Sequence, residues 1–476
     1  MVFYTVGKMV CWEAVMFLLP LVVALLYGES CWLSFALSIG IALAAGGGLT
    51  LLCRTKNQVI YAREGFAIVA LAWIAFSAVG ALPFVLSGEI PSYVDALFET
   101  VSGFTTTGSS ILRNVEALSH GMLFWRSFTH WVGGMGILVF VMALIPGMSD
   151  RSIHIMRAEM PGPVIGKLVP RAKDTASILY KIYIVMTLVE IVLLIAGGMP
   201  SFDSVVHAFG TAGTGGFGIK ADSIASYSPY LQWVITVFMF LFGVNFNVYY
   251  LLLIRRFRSA LHSSELWVYL GIVLAAVAAI TLNILPMAAS FSEALRLSAF
   301  QVSSIITTTG YATANFDLWP GFSKCILLLL MFVGACAGST GGGIKVSRVA
   351  MLFKMVGREL RRLLHPRSVS AVKFEGKTVE DATLQSVGIY LAVYVICFAV
   401  IVLLLCLEPF DFTTNFSAAA ACFNNIGPGL GAVGPAANFA DYSVWSKLLL
   451  SLAMLLGRLE IFPILIALMP TTWVKK

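Results

Sequence analysis

The sequence predicts an all-α polytopic membrane protein, with two leading transmembrane helices followed by four helix–pore loop–helix repeats around a pseudo-fourfold pore. Three observations predict it. The 476 residues are 59% hydrophobic and only 12% charged, with a mean hydropathy of +0.90, whereas soluble domains carry about 25% charged residues. A short segment ending in a glycine-containing turn recurs four times, at Thr106-Thr107-Gly108-Ser109, Thr214-Gly215-Gly216-Phe217, Thr308-Thr309-Gly310-Tyr311 and Asn425-Ile426-Gly427-Pro428. Each of these segments is too short to cross a bilayer and lies between apolar runs that are long enough.

In chain order, two apolar runs near 10–27 and 31–52 give the leading helices, closing a first region at 1–63. The run after Lys8 imitates a signal peptide, but no small-residue cleavage site precedes the next run, so it reads as a span. Four pairs of spans follow, near 64–87 with 122–146, 175–199 with 229–254, 265–287 with 321–355 and 381–407 with 444–469. They divide the rest of the chain into repeats at 64–150, 151–262, 263–378 and 379–476, and the count comes to ten spans. Phe98 and Phe300 each stand ten residues before their turn glycine, so repeats one and three share a register.

Charge sets the expected orientation. Of 31 Lys and Arg, 24 fall at the termini and between repeats, from Lys8, Arg54, Lys56 and Arg63 through Arg151–Lys181 and Arg255–Arg258 to Lys345–Lys377, Lys475 and Lys476. Basic residues mark the cytoplasmic side, so both termini are expected there and the pore segments enter from outside. The outer side then carries Glu89, Asp95, Glu116, Asp203, Asp222, Asp317, Asp411 and Asp441 against four basic residues, Arg113, Lys220, Lys324 and Lys447. Such a surface concentrates cations, although each carboxylate has an equal claim to be a solvated loop residue. Asp95, Asp203, Glu293 and Asp411 also stand where the short helices should begin, which the helix dipole favours in any protein. Four helix C-termini converging on one axis would present partial negative charge to a cation.

Several function classes are excluded. The basic residues lie between spans rather than on one exposed stripe, which argues against nucleic acid. The eight cysteines form no CxxC, and the six histidines form no HExxH or triad spacing, so neither a metal centre nor an enzyme is expected. His130 and His207 lie near pore elements and read as structural residues. The stretch Gly338-Ser339-Thr340-Gly341-Gly342-Gly343-Ile344-Lys345 imitates a phosphate loop, but Ile344 separates the last glycine from Lys345 and Val346 follows. Glycines in mid-span break a helix at about 1 kcal/mol each, and irregular backbone at membrane depth must be buried or line water. The reading is an intramembrane loop beneath the turns, with close helix packing as the alternative. Arg458 is a guanidinium at mid-span, where a charge costs at least about 2.5–3.5 kcal/mol. Glu460 would stand about 200° round a continuous helix from it, so Arg458 needs another acceptor, and the glycine-stretch carbonyls are the candidates.

The turn Gly103-Phe104-Thr105-Thr106-Thr107-Gly108 resembles that of a known family, as do His207-Ala208-Phe209 with Gly213-Thr214-Gly215-Gly216-Phe217, Ile305–Thr313 with its Thr307-Thr308-Thr309-Gly310-Tyr311 core, and Phe423-Asn424-Asn425-Ile426-Gly427-Pro428-Gly429. So do Trp131-Val132-Gly133-Gly134-Met135-Gly136, the run Gly334–Lys345, and Gly457-Arg458. Along essentially its whole length the chain resembles the TrkH/TrkG potassium-uptake proteins of the Trk/Ktr/HKT superfamily, and its two leading spans favour the TrkH branch over the shorter KtrB branch. The resemblance implies a homodimer in a bacterial cytoplasmic membrane, each subunit with its own pore, gated by a cytosolic ring of the nucleotide-binding TrkA protein. It also implies K⁺ held by backbone carbonyls of the four turns, with no cofactor in this chain and nucleotide on the partner only. In the second turn Gly216 is aligned with the other glycines because Phe217 then matches Tyr311, with Gly215 as the alternative. The fourth turn lacks the threonine of the other three, so the ring is chemically asymmetric. A fourfold set of loops favours a channel-like pore, the alternative being an alternating-access cation symporter coupled to H⁺ or Na⁺.

Overall fold

Among the described residues six helices are long and apolar enough to cross a membrane: Val2–Leu26, Trp32–Leu52, Arg63–Ser87, Ser177–Ala196, Ser264–Met287 and Asp381–Leu405. The structure is a computed structural model describing residues 1–54, 61–137, 172–368 and 370–473. The chain is an integral membrane protein, and its exterior shows it. Leu188, Val192, Ile396 and Leu403 lie more than half exposed on the long helices, as large aliphatic side chains do where lipid is the solvent.

Four short helices, Tyr93–Phe104, Ser201–Gly213, Phe291–Ile306 and Phe412–Phe423, pack inside the long ones. Their C-terminal halves are buried apart from the partly exposed Phe209, so they form the centre of the molecule. Each has an acid at its start. Asp95, Asp203 and Glu293 lie in first turns, and Asp411 occupies the N-cap itself. The Thr414 hydroxyl donates to Asp411 and holds its carboxyl below the usual range.

The second members of the second, third and fourth pairs are not continuous helices, and that of the third is interrupted at the glycine-rich stretch. Pro229–Phe242 turns by 90° into Phe246–Leu253, and Val444–Arg458 turns by 118° into Phe462–Leu468. In the third pair, helix Gly321–Val333 gives way to a non-helical stretch before Val346–Leu364 resumes. The local causes are legible. Asn245 caps the resumed helix by accepting from Asn247 N–H at 2.9 Å. Gly334, Gly338, Gly343 and Lys345 all take positive φ, and so do Glu460 and Ile461 ahead of Pro463. In the first pair, helix His120–Gly134 ends at Met135, with Gly136 at φ 90°. The rest of that expected span, to 146, and the basic residues Lys56, Arg151, Arg157, Lys167, Arg171, Lys475 and Lys476 lie outside the described residues.

One element was not anticipated. Lys373–Phe374 and Lys377–Thr378 form a two-residue antiparallel hairpin through Glu375-Gly376, and Phe374 buries against Met351, Leu384 and Val387. The Glu-Gly pair is a weak turn signal, since the left-handed residue before the glycine is a Glu rather than Asn or Asp.

Candidate functional site

The four short helices end alike. Thr106, Thr214, Thr308 and Asn425 are left-handed, with φ of 55°, 54°, 59° and 57°. Their N–H groups donate to Gly103 O, Thr211 O, Ile305 O and Cys422 O at 3.0–3.3 Å. The next N–H groups, of Thr107, Gly215, Thr309 and Ile426, each donate to the carbonyl five residues back at 2.8 Å. This pair of bonds is the Schellman closure of a helix C-terminus, usually built on glycine. Here three threonines and an asparagine fill the left-handed position, a conformation costing such residues on the order of 1–3 kcal/mol. The surrounding turn holds it four times over.

Two residues beyond each left-handed residue stands a glycine: Gly108, Gly216, Gly310 and Gly427, with φ of 80°, 74°, 87° and 102°. Gly216 therefore occupies the position equivalent to the other three, while Gly215 supplies the closing N–H. A Cβ on Gly108 would overlap Gly215 O, one on Gly216 would overlap Thr309 O, and one on Gly310 would overlap Ile426 O. On Gly427 it would stand 2.8 Å from Thr107 O. The four carbonyls belong to the residue before each glycine, and each packs on the preceding turn in the order one, two, three, four, one. The ring closes. Glycine is thus required twice at each position, by its φ and by the approach of the neighbouring backbone.

Side chains lock the ring from behind. His130 Nδ1 lies 2.7 Å from Gly103 O, and Phe217 N–H reaches His130 Nε2 at 3.3 Å. A carbonyl only accepts and an amide N–H only donates, so the ring is the neutral Nδ1–H tautomer, bridging the first two turns. That is the structural role expected of His130. Arg126 Nε donates to Glu99 at 2.6 Å, both side chains being buried, and its Nη1 donates to Gly218 O at 2.9 Å. Its guanidinium lies 3.5 Å from the Phe217 ring centroid. Glu99 also accepts from Ser110 Oγ and Ile111 N–H, and Ser304 Oγ donates to Tyr311 O at 2.6 Å. The buried Arg126–Glu99 pair was missed in the sequence because the two residues are 27 apart and neither stands alone in an apolar run.

The acids read as a cation-concentrating surface are mostly engaged locally. Asp95 accepts from Lys447 at 2.6 Å, Asp203 from Tyr227 at 2.8 Å and Asp441 from Arg113 at 2.6 Å, while Glu89 accepts from Ser119.

The glycine-rich stretch lies against the C-terminal ends of the third and fourth short helices, where turns three and four begin. Gly342 N–H donates to Thr308 Oγ1 at 2.6 Å. A Cβ on Gly341 would stand 2.9 Å from Thr307 O, and one on Gly342 2.6 Å from Asn424 O. The flanks are tied down as well: Phe246 N–H donates to Gly338 O at 3.0 Å, and Glu265 accepts from Ala337 N–H at 2.7 Å and Ser347 N–H at 3.1 Å. Ser339 Oγ turns back to Cys336 O, and Thr340 Oγ1 to Phe242 O. Lys345 donates to Gly341 O.

Arg458 reaches this stretch. Its Nη1 donates to Thr340 O at 2.8 Å and its Nη2 to Gly133 O and Gly134 O at 2.5 and 2.6 Å. The acceptors include the expected glycine-stretch carbonyl and also two first-pair carbonyls freed where that helix ends. The helical angle assigned to Glu460 is corrected, because the helix stops at Arg458 and Glu460 is left-handed. Glu460 pairs instead with Arg348, which stacks 4.2 Å from the Tyr390 ring centroid.

A family model described as TrkH, cation transport protein, matches residues 33–473. The chain is 37% identical over 478 residues to the Trk system potassium uptake protein TrkH of Salmonella typhimurium, covering 98% of both. It is 35% identical over 456 residues to TrkG of Escherichia coli, covering 94% of this chain and 93% of that one. The crystal structure of the potassium transporter TrkH from Vibrio parahaemolyticus superposes with a TM-score of 0.88 at 34% identity, covering 99% of each chain.

Proposed function

The chain belongs to the TrkH family of cation transport proteins, and from that premise we propose that it takes up potassium through a channel-like pore whose selectivity site is the ring of four glycine turns. The observation that carries this reading is the closure of that ring: four equivalent carbonyls, Thr107, Gly215, Thr309 and Ile426, each packed on the neighbouring glycine. A dehydrated cation needs such a set of oxygens, and four helix C-termini meeting there favour positive charge. The left-handed residues Thr106, Thr214, Thr308 and Asn425 set the turns, and Gly108, Gly216, Gly310 and Gly427 let them approach. Potassium is chosen because the relatives are named as potassium uptake proteins.

The stretch Gly338–Lys345 with Arg458 serves as the gate. Arg458 holds the loop beneath the ring and adds a fixed positive charge that repels a permeating cation. In this reading the protein is a homodimer in the bacterial cytoplasmic membrane with both termini in the cytoplasm, and a cytosolic nucleotide-binding partner of the TrkA type releases the loop. One ring from four equivalent turns supports a channel over an alternating-access symporter.

The test is ion flux into proteoliposomes at a clamped potential, with pH and Na⁺ gradients varied and the cytosolic partner added or withheld. Potential-driven K⁺ entry that is insensitive to both gradients and raised by the partner is expected. Uphill K⁺ accumulation driven by a pH or Na⁺ gradient would overturn the channel reading.

A further inference from the structure

The four left-handed residues of the ring are equivalent in backbone and unequal in what their side chains hold. The Thr106 hydroxyl is buried with no hydrogen-bond partner. The Thr214 hydroxyl donates to Gly213 O at 2.6 Å, within its own turn. The Asn425 amide donates to Thr107 Oγ1 and Met454 O, both at 2.9 Å. Thr308 alone among these four accepts from the glycine-rich stretch, through Gly342 N–H at 2.6 Å.

That bond sits where the stretch presses hardest on the ring. Gly341 and Gly342 have no room for a Cβ against Thr307 O and Asn424 O, so the loop backbone lies on the residues immediately preceding Thr308 and Asn425. Thr308 itself is a β-branched residue at φ 59°, a conformation such a side chain rarely adopts. Within its turn it is held by Thr308 N–H to Ile305 O at 3.1 Å and Thr309 N–H to Ser304 O at 2.8 Å. The third hold is the loop. A buried amide that loses its acceptor is left unsatisfied, so Gly342 and Thr308 are stabilised together or exposed together.

We infer that the Thr308 hydroxyl is the latch between the glycine-rich loop and the ring, so that release of the loop and the geometry of the third turn are one coupled event. The inference rests on the reading of the loop as a gate and names the residue of the ring that senses it. Thr308 is then a positioning residue twice over. It shapes the carbonyl of Thr309 while the loop is seated, and its turn relaxes when the loop leaves. Ion preference therefore differs between the seated and released states, through the third turn rather than through all four equally.

The experiment is a double-mutant cycle in the full chain, reconstituted without the cytosolic partner at a fixed potential, with K⁺ flux and K⁺-over-Na⁺ preference read together. Thr308→Ala removes the acceptor and raises partner-free flux about three- to tenfold, the ratio expected for one buried hydrogen bond. Thr308→Ser keeps the hydroxyl and restores the low flux, and Thr308→Cys, a weak acceptor of similar shape, falls between them. In a chain lacking Gly341–Gly343, whose flux is already raised, Thr308→Ala adds no further rise. An equal rise from Thr308→Ala in both backgrounds would place the effect inside the ring and overturn the latch. So would parental flux in the Thr308→Ala and Thr308→Cys chains while the loop deletion still raises flux, and that outcome leaves the gate itself standing. Parental flux in the deleted chain overturns the gate reading and the latch with it.

Discussion

Each turn glycine has a φ between 74° and 102° and a neighbouring carbonyl in the direction its Cβ would take. The conformational penalty for an L-residue in that region is about 1–2 kcal/mol, but the overlap differs between positions. At Gly310 a Cβ would drive into Ile426 O, whereas at Gly427 it would stand 2.8 Å from Thr107 O. Gly310→Ala should therefore lower K⁺-over-Na⁺ preference by tenfold or more, on the order of 1.4 kcal/mol, with a smaller loss for Gly427→Ala. Competition of Na⁺ against K⁺ influx checks the order, and parental preference in a folded Gly310→Ala chain would remove the ring from selectivity. The glycines were legible in the sequence because a glycine recurring after a short apolar segment has few other uses. The left-handed threonines were not, since nothing in a single sequence marks Thr106 or Thr308 as departing from the usual φ. The choice of Gly216 over Gly215 rested on matching Phe217 with Tyr311, and the closing bond from Gly215 N–H together with the positive φ of Gly216 puts Gly216 at the position of the other three glycines.

At the scale of helices, composition misleads where geometry does not. The run Leu448–Leu468 is apolar throughout apart from Ser451, Arg458 and Glu460, so it reads as one helix, yet it bends by 118° at the two charges. The bend frees Glu460 for Arg348 and leaves Arg458 at a helix end facing the Thr340, Gly133 and Gly134 carbonyls. Only Gly457 and Pro463 hinted at it. Arg458→Ala should raise flux in the absence of the cytosolic partner, and wild-type basal flux in a stable variant would reduce Arg458 to a static tie. A second prediction separates stability from gating. Glu99→Gln leaves Arg126 buried without its charge partner, which costs about 3–5 kcal/mol, so the detergent-solubilised protein should unfold at a clearly lower temperature. Replacing both residues by apolar ones of similar volume should recover part of that loss. A Glu99→Gln chain as stable as its parent would show that Gly218 O and the Phe217 ring suffice to hold the guanidinium.

At the scale of the whole molecule, the helix Val346–Leu364 has a pattern that fits neither lipid nor core. Its first turns are buried through Met351, directly after the glycine-rich stretch. Beyond them Phe353, Val356, Leu360, Leu363 and Leu364 are all more than half exposed, on positions that share a helix face at spacings of three and four. Arg361 and Arg362 lie exposed near its end, and Arg358 pairs with Asp381 at 2.8 Å. Near its middle Lys354 donates to Lys373 O of the small hairpin at 2.8 Å, and Glu375 of that hairpin accepts from Ser263 Oγ and Glu265 N–H. The helix therefore joins the loop beneath the ring to a surface that is apolar, basic and braced. The basic excess was plain in the sequence as an orientation signal. The apolar stripe beside it does not stand out in the sequence, because in a chain that is 59% hydrophobic another run of leucines carries little information. If an acidic cytosolic partner docks here, neutralising Arg358, Arg361 and Arg362 together should weaken its binding and flatten the dependence on salt, since exposed charges are screened within about 10 Å at 0.1 M. Single replacement of Arg358 should do less, because Asp381 already occupies it. Binding measured across an ionic-strength series decides the matter: an unchanged affinity and slope in the triple variant would leave these arginines with the membrane surface alone.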